Sequence, residues 1–150
     1  MALVVDASVA LKWVLEEPDS HLAQALAESE EELLVPDFWL NEATSVCWLQ
    51  VRKGKWSADE AREALALLRD QVPPTPSGDL ALHDVALDIG LAINHSTYDT
   101  LYVAFAVAMG AQGVVAADGP FVAAMRRHPD PTLAAMLIPL SDWGRDQRLA

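Results

Sequence analysis

The sequence predicts a single α/β domain, a three-layer sandwich in which helices cover both faces of a mostly parallel sheet. Three observations lead there. The chain has 150 residues, within the ~100–200 expected of one domain, so one domain is assigned over residues 1–150. Two short apolar runs, Ala2–Val5 and Gly113–Ala117, contain adjacent valines and no charge, the pattern of strands buried on both faces. Between and around such runs lie longer segments with helical spacing, and helices alternating with buried strands specify a parallel sheet.

Each element has its own signal. Ala2–Val5 is the first strand. Residues 8–16 and 21–31 read as helices separated by Pro18, Asp19 and Ser20, where a proline meets an N-cap residue. Leu33–Val35, stopped by Pro36, is a second strand. Phe38, Ala43, Val46, Cys47 and Val51 recur at helical spacing, and Gly54 suits the C-cap. Ser57 and Glu60 form a capping box that opens a helix to about Arg69. Pro73, Pro74 and Pro76 exclude a helix interior and leave a loop or short edge strand. Helices are expected over 79–93, 98–109 and 121–127, a strand over 113–117, and a last edge strand at Leu137 and Ile138 before Pro139.

Composition narrows the function. Hydrophobic residues make up 52% of the chain, enough for a substantial core. With 10 basic and 22 acidic residues the net charge is −12, which argues against gripping nucleic acid through a broad basic surface. An enzyme that meets nucleic acid through metal ions remains compatible with that charge. Cys47 is the only cysteine, so neither an internal disulfide nor a cysteine-rich zinc site forms, as suits a cytoplasmic protein. The start lacks the basic and long apolar regions of a signal peptide. Thr100 to Ala117 is uncharged, but Gly110, Gln112 and Gly113 interrupt it, so a helix, a turn and a strand explain it better than a membrane span.

The chemistry lies in the acids. In parallel α/β sheets ligands bind beyond the carboxyl ends of the strands. Asp6 and Asp118 each follow an apolar strand directly, Glu42 opens the helix after the second strand, and Asp99 opens the most apolar helix. Taken singly, each has an ordinary reading: Asp6, Asp118 and Asp99 as helix caps, Glu42 as a solvated helix residue. Together they converge on one cleft. Two carboxylates ~4 Å apart repel by about 4 kcal/mol at an effective dielectric near 20, so four of them require a counter-charge. Ligands that are all oxygen favour Mg²⁺ or Mn²⁺ over Zn²⁺.

Val4-Val-Asp6-Ala-Ser8-Val-Ala-Leu-Lys-Trp13, Asn41-Glu42-Ala43, Tyr98-Asp99-Thr-Leu-Tyr-Val-Ala-Phe-Ala106 and Ala117-Asp118-Gly-Pro-Phe121 together resemble a PIN domain of the bacterial VapC toxin type. The resemblance runs in order over almost the whole chain. It implies a sheet of about five parallel strands, metal-dependent endoribonuclease activity on an RNA substrate, a homodimer, and a VapB-type antitoxin as partner in a type II toxin-antitoxin pair. It also makes Asp6, Glu42, Asp99 and Asp118 the catalytic and metal-binding acids, with Ser8 in support. Two positions depart from the pattern. Ala116 stands where many relatives have Thr, and Gly119-Pro120 where a basic residue follows the last acid.

The implied reaction is phosphodiester hydrolysis, assisted by an ion that activates water and neutralises charge. Other groups read more plainly. Arg52, Lys53 and Lys55 suit a solvated helix end. His21, His83, His95 and His128 show no ligand spacing, although His95 lies nearest the proposed cleft. The five tryptophans suit the core or a dimer interface. Rival assignments fail on particular residues: Ser8 stands where a haloacid-dehalogenase-type phosphatase has its second aspartate, a receiver domain's paired acids and lysine are missing, and no phosphate-binding Gly-Lys loop occurs. The alternative from another class is a catalytically weak PIN-like protein that acts as an interaction module.

Overall fold

The computed structural model describes residues 1–148. Four strands, β1 (Ala2–Val5), β2 (Glu32–Leu34), β3 (Gly113–Ala116) and β4 (Leu137–Pro139), form one sheet in the order β2-β1-β3-β4. Every pairing is parallel: Leu3 lies opposite Leu33 and Gly113, and Val115 opposite Ile138. The chain runs outward from β1 to β2 and then crosses back to β3, so the switch in strand order falls between β1 and β3. Val4, Val5, Val114 and Val115 are completely buried, which explains why these strands read as unbroken apolar runs.

Nine helices clothe the sheet among the described residues: α1 (Ala7–Ala10), α2 (Ser20–Glu28), α3 (Trp39–Arg52), α4 (Ala58–Gln71), α5 (Leu82–Ile93), α6 (Thr97–Ala108), α7 (Gly119–Arg126), α8 (Pro131–Ala134) and α9 (Leu140–Asp146). The capping box at the start of α4 forms as expected, with Glu60 N donating to Ser57 Oγ at 3.0 Å and Ser57 N to Glu60 Oε1 at 3.1 Å. α5 and α6 pack as an antiparallel hairpin, tightened by Thr100 Oγ1 donating to Ala86 O at 2.7 Å. The uncharged stretch divides as expected into α6, a turn in which Gly110 has φ 64°, and β3. No described helix is long and apolar enough to cross a membrane.

Several expectations are corrected. The fifth strand is reduced to a single parallel bridge between Pro36 and Thr75, in which Thr75 N donates to Val35 O at 2.8 Å and Asp37 N to Thr75 O at 2.9 Å. Pro73, Pro74 and Pro76 surround Thr75 and have no N–H to extend the ladder. The helix expected over 8–16 is cut to one α turn and a 3₁₀ turn at Leu11–Trp13. Two helices are added to those expected, α8 and α9; Pro139, read as the end of an edge strand, also sits at the N-cap of α9, and Trp143 is buried. Gly113 begins β3 where a Cβ would lie 2.6 Å from Met136 O, so close approach to β4 demands glycine.

Candidate active site

The termini of β1 and β3 meet at Ser8. Asp6 N donates to Val115 O at 3.0 Å, which ties the end of β1 to β3. The Asp6 carboxyl, only 4% exposed, caps α1: Oδ2 accepts from Ser8 N at 3.1 Å and from the Ser8 hydroxyl. Ser8 Oγ in turn accepts from Ala117 N at 2.9 Å. One hydroxyl therefore fixes both the aspartate and the backbone that leads to Asp118. The other oxygen, Asp6 Oδ1, is buried and receives no hydrogen bond.

Three acids come into electrostatic range. Burial, only partly offset by the two Ser8 bonds, lifts the Asp6 carboxyl to about 7, and Asp99 and Glu42 push it the same way. Glu42, in the first turn of α3, is raised by desolvation and then by Asp99. Asp99 opens α6 with Oδ2 2.7 Å from His95 Nε2. Asp99 read singly as a helix cap, but Ser96 is the N-cap here, its Oγ accepting from Tyr98 N, and the Asp99 carboxylate turns to histidine. The His95 ring stacks on Phe121, with centroids 5.3 Å apart and planes at 9°.

Asp118 is placed differently. It is the N-cap of α7, with Oδ1 accepting from Phe121 N at 3.2 Å, and it is not among the charges that raise Asp6 or Glu42. The structure thus gathers Asp6, Glu42 and Asp99 and leaves Asp118 occupied at the neighbouring strand end. Two further residues belong to this region. His95 was noted in the sequence only for its proximity; it lies just before the N-cap of α6, outside the helix, so no helical spacing signalled its bond to Asp99. Tyr102 gave no signal within an apolar helix. Its hydroxyl is buried without a partner, and desolvation together with Asp6, Glu42 and Asp99 holds it far above the ordinary phenol range.

Among the described residues, no three His, Cys, Asp or Glu side chains form a ready-made cage for an ion. The donor set nevertheless fits a hard divalent cation. Mg²⁺ keeps much of its water and binds through one or two carboxylates, and Asp6 Oδ1 is a buried acceptor with nothing to accept from. An unpartnered buried carboxylate oxygen is costly; beside two more acids it calls for positive charge. A cleft of about 490 Å³ opens beside Glu42, lined by Phe38, Asn41, Ser45, Tyr98, Leu101 and Tyr102.

Comparison with known proteins identifies the family and the fold. The family model described as PIN domain matches residues 3–125. The fold is similar to the crystal structure of PAE2754 from Pyrobaculum aerophilum, with a TM-score of 0.70 and 18% identity, covering 99% of this chain and 90% of that one. A search of curated proteins finds no match. The family match takes in nearly all of β1 and α7 and the whole of α3, α6 and β3, a span that holds all four acids, and this chain belongs to the PIN-domain family, whose members are generally nucleases.

Proposed function

We propose that this protein is an endoribonuclease that hydrolyses RNA phosphodiester bonds with Mg²⁺ or Mn²⁺. The observation that carries the reading is Asp6, a buried carboxylate with one unpartnered oxygen, raised to about 7 and facing the potential of Glu42 and Asp99. Asp6, Glu42 and Asp99 would hold the ion, with Asp118 contributing from the end of β3. A divalent ion bound there supplies the positive charge that lets an anionic phosphodiester approach a −12 protein, and it makes water a nucleophile near neutral pH.

The chain's own groups do the rest. Ser8 holds Asp6 through Oδ2 and leaves Oδ1 without a hydrogen-bond partner, available to an ion. His95 holds Asp99 Oδ2 in the same way. Tyr102, buried and packed edge to face on Phe38 at 5.3 Å, lowers the local polarity beside the acids, which strengthens charge interactions there. A carboxylate of the cluster accepts the proton of the attacking water.

We further read the biological setting as that of a cytoplasmic VapC-type toxin: a homodimer restrained by a VapB-type antitoxin that sends an Arg or Lys to the same carboxylates in place of metal. A second reading, the catalytically weak interaction module, draws its support from Asp118, whose carboxylate is engaged in capping α7. Cleavage of RNA with and without Mn²⁺, comparing wild type with Asp99→Asn, separates the two. The nuclease reading expects metal-dependent cleavage that the folded variant loses; an equally active Asp99→Asn protein would falsify the assignment of that residue.

A further inference from the structure

We propose that the cleft between the first turns of α3 and α6 is a nucleobase subsite, which takes one unpaired base of the RNA strand beside the phosphodiester held at the acids. The proposal rests on the nuclease reading and names the part of the substrate that the cleft recognises. Its lining follows from helical spacing. Phe38, Asn41, Glu42 and Ser45 recur along one side of the start of α3, and Tyr98, Leu101 and Tyr102 along one side of α6. The resulting volume of about 490 Å³ lies within the usual range of small-ligand sites.

The chemistry of the lining selects the occupant. Tyr98 is 80% exposed although it is a large aromatic residue on the turn that also carries Asp99. Packing does not account for it, whereas a ring on offer to a planar ligand does. Phe38 is fixed by its edge-to-face contact with buried Tyr102, which gives the cleft a rigid floor. Asn41 and Ser45, both exposed, present amide and hydroxyl groups that pair with base edges. No Lys or Arg lines the cleft, and its one charged group is Glu42. With Glu42 turned to the ion at the acids, nothing in the cleft itself grips a phosphate, while a neutral planar ring with polar edges is accepted.

Position supplies the link to the substrate. Glu42 belongs both to the cleft and to the acid cluster, so a strand whose phosphate lies at the acids brings a neighbouring base to Tyr98. A base can enter only if it is unstacked and unpaired, which commits the site to single-stranded segments or loops. The occupant is thus part of the RNA rather than a side chain of a protein partner.

The test uses a single-stranded oligoribonucleotide with 2-aminopurine placed in turn at each position around the cleavage site, and full-length protein with Mn²⁺. Stopped-flow fluorescence follows the first turnover, and steady-state cleavage gives KM and kcat. Wild type and Tyr98→Phe should quench the probe at one position. Tyr98→Ala, whose folding is verified by circular dichroism, should lose that quench and raise KM by about 5- to 100-fold with little change in kcat. If wild type cleaves and Tyr98→Ala matches it in quench and KM, the subsite is refuted while the nuclease reading stands. A Tyr98-dependent quench without any cleavage would support the subsite and remove the hydrolytic reading. Loss of self-association in Tyr98→Ala with RNA KM unchanged would assign the cleft to a protein contact and overturn the proposal.

Discussion

Asp6→Asn should make the metal-free protein less sensitive to alkali, an effect opposite in sign to the usual loss of a buried polar contact. Folding raises the Asp6 carboxyl from 3.8 to about 7, so between those values the native state binds a proton that the unfolded state has released. A proton held preferentially by the native state stabilises it, and that contribution fades as pH rises through the folded value. At about 1.4 kcal/mol per pH unit, this one group should cost the wild type about 2 kcal/mol between roughly pH 5.5 and 8.5. Asparagine keeps an oxygen to accept from Ser8 but cannot ionise, so the variant lacks this slope. Its amide leaves a buried donor unpaired, at a cost of about 1–3 kcal/mol at every pH. Urea unfolding in EDTA at several pH values isolates the slope from that constant offset, because all other titrating groups are shared. Parallel curves for wild type and Asp6→Asn across this range would show that Asp6 is solvated and charged throughout, and the argument for a desolvated acid would fail.

Mn²⁺ or Mg²⁺ should raise the wild-type melting temperature, by about 2.7 kcal/mol of stability at 100 times the dissociation constant; calorimetry should find no such gain in Asp6→Asn, and an equal gain would place the ion elsewhere. Ser8→Ala removes the hydroxyl that joins Asp6 to Ala117 N, so cleavage should fall less than in Asp99→Asn, while the Asp6 carboxyl moves further up and its pH transition, read from the same unfolding series, moves with it. Gly113→Ala forces β3 from β4 at the 2.6 Å approach to Met136 O and should destabilise by about 1–3 kcal/mol in chemical denaturation.

Strands and acids were legible for one reason. Val4, Val5, Val114 and Val115 are buried on both faces, so their runs are continuous and end abruptly at Asp6 and just before Asp118. Glu42 and Asp99 follow helix starts that carry their own cues. What escaped was set by contacts between distant segments. Thr75 reads as a strand residue only once Val35 and Asp37 lie beside it. The Asp99 carboxylate meets His95 rather than serving as a cap, and the imidazole it meets is stacked on Phe121, far along the chain. Tyr102 looks like one more apolar residue of α6 until β1 and α3 bring their charges against its hydroxyl. Asp118 was legible in its ordinary reading: an aspartate after a strand caps the next helix, and its Oδ1 accepts from Phe121 N.

The proline bridge at Thr75 bears on how the molecule meets others. A sheet normally grows by offering an unpaired backbone row to another strand. On one side β2 is three residues long and the chain just past it is taken by a one-residue bridge set among three prolines, and on the far side β4 ends at Pro139 after three residues. Neither margin offers a ladder long enough to template an incoming strand, so the fold is closed to edgewise polymerisation. Assembly, whether with a second copy or with another chain, is left to side chains on helices, where a partner can dissociate without breaking a backbone ladder.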